Sequence, residues 1–140
     1  MTIWGADAGD YTLGLTIGYL NDDNYADILI RGTLAWGPDN TRWRCGEVYI
    51  IYGSASLPDE IDLSTNPQDI IIYGADVWDA MGGRGGVGDV NGDGVNDVIV
   101  GATNGDGPGN LRGDAAGEFY IFFGPITSSV LDIRKGDQDV

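Results

Sequence analysis

The chain of 140 residues contains no histidine, one cysteine (Cys45) and one lysine (Lys135). Each shortage removes a class of chemistry. Without histidine there is no Ser-His-Asp or Cys-His nucleophile pair and no His-bearing zinc site. One cysteine allows neither an intrachain disulfide nor a thiolate cage. Seven basic residues stand against 22 acidic ones, a formal charge of -15. Nucleic acid and anionic membrane surfaces both require a basic face, so neither is expected as a partner. No apolar run approaches the ~18 residues that a membrane-spanning helix needs, so no membrane insertion is expected. Met1–Asp7 has neither a basic stretch nor an apolar core, so no signal peptide is expected in this chain.

Glutamate is scarce as well, with three residues against nineteen aspartates. Glu favours helices, whereas Asp and Gly favour turns, caps and hard-cation loops. No stretch holds a helical period. Gly accounts for 24 positions, and 42% of residues are hydrophobic, too many for a disordered chain. The composition predicts a folded, turn-rich, mostly β protein.

The chain repeats itself with a period of about 70 residues. Ile3-Trp4-Gly5-Ala6-Asp7 matches Ile72-Tyr73-Gly74-Ala75-Asp76. Asn21–Ile30 matches Asn91–Val100, and Gly46–Gly53 matches Gly117–Gly124. The sequence thus divides into repeats at 1–68 and 69–140. Gln138-Asp139-Val140 followed by Thr2-Ile3-Trp4-Gly5 would reproduce the internal run Gln68–Gly74 without a gap. A strand over 138–140 is therefore expected to continue into residues 2–5 of a neighbouring chain. Strands are expected at Asp69–Ala75, Gly85–Val90, Asp97–Thr103 and Gly117–Gly124, about four per repeat. That is one blade-sized sheet.

Asp89-Val90-Asn91-Gly92-Asp93-Gly94-Val95-Asn96-Asp97 places oxygen donors at positions 1, 3, 5 and 9. The Val95 carbonyl is available at position 7. Such a hard, acidic donor set suits Ca²⁺. Position 12 is Val100 rather than the Glu of a helix-flanked calcium loop, so this loop is expected between strands.

Gly88–Ala102 followed by Gly117-Glu118-Phe119-Tyr120-Ile121-Phe122-Phe123-Gly124 resembles the FG-GAP repeat, the blade unit of the integrin α-subunit propeller and of related extracellular proteins. The resemblance implies an all-β fold of two four-stranded β-propeller blades. It implies Ca²⁺ held by Asp89, Asn91, Asp93, the Val95 carbonyl and Asp97, and an extracellular or cell-surface setting. The first repeat departs from the pattern: Tyr19 replaces the first Asp, and Asn24 replaces a glycine. Asn21, Asp23, the Tyr25 carbonyl and Asp27 remain, a degenerate second site expected to be weaker.

Propellers close with about four to eight blades, and two blades leave open edges. Completion by self-association is expected, with a trimer or tetramer favoured and an open filament as the other solution. The segment Leu34–Cys45 carries Trp36, Arg42, Trp43 and Arg44, residue types that anchor interfaces and stack on sugars. These four are the candidate ligand or partner contacts, toward a glycan or an extracellular protein. The reading is a non-catalytic calcium-binding structural or adhesion module that self-assembles, not an enzyme. A propeller-type carbohydrate-binding lectin and an excised fragment of a larger extracellular repeat protein are the alternatives. A paired-carboxylate hydrolase is disfavoured, because the aspartates follow ligand spacing.

Overall fold

A computed structural model describes residues 1–65, 67–112 and 115–139, with the side chain of residue 13 left out. Among the described residues there are ten strands: β1 (Thr2–Trp4), β2 (Thr12–Gly18), β3 (Asp27–Gly32), β4 (Glu47–Ile51), β5 (Glu60–Asp62), β6 (Ile70–Tyr73), β7 (Met81–Gly88), β8 (Asp97–Ala102), β9 (Glu118–Phe122) and β10 (Val130–Asp132). The described residues form no α-helix; four one-turn 3-10 segments lie between strands. The architecture is all-β and blade-like.

The first blade is an antiparallel sheet in the order β2-β3-β4-β6. Its registers pair Leu15 with Ile30, Leu29 with Ile50 and Val48 with Ile72. β10 joins the outer edge of β6 in parallel. The second blade consists of β7-β8-β9, with Val98 opposite Phe122 and Val100 opposite Tyr120. β1 and β5 form a separate parallel pair that repeats the β6–β10 pairing. β-Branched and aromatic residues dominate β3, β4, β6, β8 and β9, as pleated half-buried surfaces favour.

Three of the expected strands appear within one or two residues of their predicted ends. The Gly-rich strand begins earlier than expected, at Met81, because an irregular register between Met81 and Arg84 lets Met81 pair with Ala102. Sequence repeat and blade are also offset by one strand. β6 lies beyond residue 68, yet it completes the first blade. A sheet recruits neighbours by edge hydrogen bonding, and β4 offers its edge to the strand that follows it in the chain.

Two apolar clusters account for the packing. The larger one lies between the blades and joins Leu29, Val48, Ile50 and Ile72 to Met81, Val98, Val100 and Phe122, with Leu131 and Ile133 closing it. The smaller one covers the other face of the first blade, where Ile30, Tyr49, Ile51 and Ile71 meet Ile61 and Leu63. β4 is therefore covered on both faces and buried at all its positions. β9 is covered on one face only: Phe119 is 65% exposed where its counterpart Val48 is 0% exposed.

Asp139 repeats on β9 the contacts that Asp69 makes on β4. Asp139 donates its amide to the Ile121 carbonyl, as Asp69 does to Ile50, at 3.0 and 2.9 Å. The Asp139 carboxylate accepts from the Phe123 amide, as Asp69 accepts from Tyr52. Residue 140, the last of the expected terminal strand, lies outside the described residues.

Candidate metal centre

The second-repeat loop joins β7 to β8 and is built around Asp89. Its carboxylate accepts from three backbone amides: Gly92 at 2.7 Å, Asp93 at 3.2 Å and Gly94 at 2.9 Å. Gly92 and Gly94 adopt φ of 80° and 92°, the left-handed region that glycine enters freely. Those two residues let the chain curl around one carboxylate. Asn91 Oδ1 accepts from the Asp93 amide and Asp93 Oδ1 from the Val95 amide, at 2.9 and 2.8 Å. Asn91 Nδ2 also donates to Asp93 Oδ2 at 2.9 Å, so these two side chains lie side by side.

Asp97 closes the loop. It is fully buried and accepts from the Val90 amide at 2.8 Å and the Gly124 amide at 3.0 Å. One carboxylate thereby ties the loop's start to the end of the β9 segment. Asp27 does the same in the first repeat, accepting from Leu20 at 2.6 Å and Gly53 at 2.9 Å. A buried carboxylate is tolerated when amides satisfy it.

The first-repeat loop keeps part of this pattern. Asn21 and Asp23 lie side by side, and Asp23 Oδ1 accepts from the Tyr25 amide at 2.8 Å. The three amide bonds to a first carboxylate have no counterpart, since Tyr19 occupies that position. Neither Asp22 nor Asn24 has the positive φ that Gly92 and Gly94 adopt. The two loops face one another across an open cleft of about 650 Å³ lined by Tyr19, Asp22, Asp23, Val95 and Asn96. Asn96 Nδ2 bridges to the Tyr19 carbonyl at 2.9 Å.

Among the described residues, no three His, Cys, Asp or Glu side chains converge on a common point in a way that would hold an ion as they stand. The donors of the second loop are nevertheless all hard oxygens, close along one short turn, and three of them are carboxylates. That chemistry fits a calcium ion and not a soft metal.

The Trp-Arg segment is placed differently from the metal loops. Arg42 is buried and forms a bidentate pair with Asp132 at 2.7 and 3.0 Å. It also donates to the Gly74 carbonyl. The neighbouring guanidinium holds the Asp132 carboxyl below the usual range. Trp43 stacks on Trp78 of the second repeat, centroids 4.7 Å apart and planes within 5°. Arg44 lies over both rings, at 4.9 and 4.7 Å. Trp36 is exposed and lines a small pocket with Asp7, Asp10 and Asn40. Of the four candidate contacts, Trp36 and Trp43 are thus open to solvent, while Arg42 is committed to the contact between repeats. Asp132 was not among the sequence candidates. The recurrence of Arg at 42 and 112, and of Asp at 62 and 132, was the available signal for Asp132.

Burial perturbs several groups. The Glu47 carboxyl, with the Tyr49 hydroxyl donating to it, is pushed up to about 7, chiefly by desolvation. Asp79, which accepts from the Asp76 amide at 3.0 Å, is pushed up by burial to about 6. Cys45 is fully buried and its thiol is raised to about 12, so it is not a reactive thiolate.

Residues 81–122, from the start of β7 to the end of β9, match the family model of the FG-GAP repeat. That segment holds the whole second loop, Asp89–Asp97. FG-GAP repeats form integrin-like β-propeller modules. They are generally non-enzymatic and are typical of extracellular and cell-surface proteins. No curated protein matches the chain.

Proposed function

We propose that the chain is a non-catalytic, calcium-binding structural and adhesion module that assembles through its open blade edges into a propeller or propeller-like array outside the cell. The observation that carries this reading is the second-repeat loop. Its backbone is curled by two glycines around Asp89, and Asn91, Asp93 and Asp97 stand at alternate positions beside it. Asp89, Asn91, Asp93, the Val95 carbonyl and Asp97 would hold the ion, which supplies charge neutralisation and loop rigidity. Asn21, Asp23, the Tyr25 carbonyl and Asp27 form the weaker counterpart. Calcium also offsets part of the repulsion between chains at -15 each.

Among the described residues β9 pairs only with β8 and β1 only with β5, and these two edges support the assembly. In the first blade the same two kinds of edge pair as β4 with β6. Transferring that register places Glu118 opposite Trp4, Phe119 opposite Ile3 and Tyr120 opposite Thr2 of a second copy. Phe119 and Trp4, exposed in the single chain, would be covered.

Calorimetric titration with calcium tests the metal site. Wild type should bind with a Kd of about 10⁻⁴ to 10⁻³ M, typical of extracellular modules. Asp89→Asn should weaken this at least tenfold while leaving the fold intact. No binding by wild type at millimolar calcium overturns the reading.

A second reading, a carbohydrate-binding propeller, is favoured by one observation. Trp36 lies open beside Asp7, Asp10 and Asn40, an aromatic face next to hydrogen-bonding groups. Quenching of tryptophan fluorescence by simple sugars, abolished in Trp36→Ala, would support it.

A further inference from the structure

Within each chain, the contact between repeats centres on one ion pair. Arg42 comes from the segment between β3 and β4, and Asp132 is the last residue of β10. Both side chains are buried, and Arg42 also reaches the Gly74 carbonyl just after β6. Around this pair the backbone approaches closely. The Gly74 amide donates to the Gly46 carbonyl at 2.9 Å, and a Cβ on Gly74 would collide with the Cys45 carbonyl oxygen.

Every component of this contact recurs in the other repeat, without the contact. Arg112 is the counterpart of Arg42. The Arg112 amide donates to Asp106 as the Arg42 amide donates to Trp36, and Gly107 lies against Arg112 as Gly37 lies against Arg42. Asp62 is the counterpart of Asp132: it ends β5, and its Oδ1 accepts from the Ser64 amide as Asp132 Oδ1 accepts from Arg134. Gly5 corresponds to Gly74, and Gly117 to Gly46. In the single chain all four are exposed, whereas their counterparts are buried. A Cβ on Gly46 would collide with the Met81 backbone; one on Gly117 would meet nothing within 4 Å. Among the described residues neither Arg112 nor Asp62 has an ion-pair partner.

We propose that Arg112 of one copy and Asp62 of the next form, across a head-to-tail contact, the ion pair that Arg42 and Asp132 form inside each copy. The partner is a second copy of this chain, and the proposal rests on the self-assembly reading above. The same operation that superimposes the first repeat on the second carries Asp132 onto the position Asp62 takes in the next molecule. It also seats β1 on the bare edge of β9 and Gly5 against Gly117. The contact is heterologous, so it propagates until it closes or continues as a filament. Arg112 would gain the Gly5 carbonyl as a second acceptor. The pair thereby fixes the register of β1 on β9, because a shift of one residue would separate the guanidinium from both acceptors.

Charge reversal tests this by native mass spectrometry and sedimentation in millimolar calcium. Arg112→Asp and Asp62→Arg should each weaken assembly at least tenfold. The double variant should restore it, and an equimolar mixture of the two single variants should restore it as alternating assemblies with an even number of chains, since a ring of odd number cannot alternate. Asp62→Arg is the informative arm. It reduces the chain's negative charge, so general repulsion alone would make it assemble better than wild type. Both residues are exposed, and unchanged circular dichroism and melting of the monomers show that the variants fold. If wild type assembles and both single variants do so equally well, the ion pair is overturned while self-assembly stands. If wild type stays monomeric at all concentrations with calcium, self-assembly fails and the pair with it.

Discussion

The two repeats share their strands, their buried Asp latch and their paired-aspartate turns, and differ in what surrounds them. Asp7 with Asp10 and Asp76 with Asp79 form the same turn, with the same 3.0 Å amide bond. Asp27 and Asp97 are both fully buried and each accepts two amides. The second loop has Asp89 and two left-handed glycines; the first has Tyr19, Asp22 and Asn24 in their places. The difference separates two parts of the loop. The terminal Asp ties loop and strands together and is present in both copies. The first Asp and the glycines curl the backbone and are present only in the second.

Arg42 and Arg112 offer the sharpest way to break this comparison. Removing one partner of a buried ion pair strands the other, so Arg42→Ala should cost about 3–5 kcal/mol in urea unfolding of the single chain. Arg112→Ala should cost almost nothing in the same measurement. Equal losses would mean that the Arg42 pair contributes no more than a surface contact.

The latches come next. Asp27→Ala orphans two buried amides and should cost about 3 kcal/mol, and Asp97→Ala, whose two amides are part-buried, about 2 kcal/mol, with or without calcium. A loss at Asp97 confined to calcium-loaded protein would mean that it is a ligand first and a latch second.

The Glu47 carboxyl adds a pH dependence of known sign. Its native value of about 7 lies above the ordinary 4.5, so the folded chain binds a proton that the unfolded chain does not between those limits. Stability should therefore rise as pH falls from 7 toward 4.5, by about 2 kcal/mol. Asp79 acts in the same direction between about 6 and 3.8. Asp132, held low by Arg42, opposes only at more acid pH. Chemical denaturation across this range checks it, and Glu47→Gln should flatten the profile.

The smallest effect comes from converting the first loop. Tyr19→Asp with Asn24→Gly should add a second calcium equivalent. At tenfold excess over Kd the ion should stabilise the chain by about 1.4 kcal/mol, visible as a calcium-dependent rise in melting temperature. No added equivalent would show that Asp22 must also become glycine.

Much of this was legible in the sequence because it is local. Alternate donors and interspersed glycines read out a loop directly, and β-branched runs such as Asp97–Ala102 read out strands. The offset between repeat and blade was not legible. Periodicity reports that a strand exists, not which edge it joins, so a repeat boundary at residue 68 assigns β6 to the second unit. The Trp43–Trp78 stack was hidden for a related reason. Its rings are far apart in the chain, and Trp78 adopts φ of 79° at a position where the first repeat has Gly9. Nothing local announces a tryptophan in a glycine's conformation; contacts with Trp43 and Arg44, and backbone bonds to Trp43 and Asn104, hold it there.

That stack has a practical meaning. One ring comes from each repeat, and the rings lie parallel at 4.7 Å, close enough for their electronic transitions to couple. The coupling vanishes if the halves part, even when each retains its strands. The molecule therefore carries its own optical gauge. A circular dichroism couplet from the indoles reports the seam between repeats, while the peptide signal reports the sheets on either side of it.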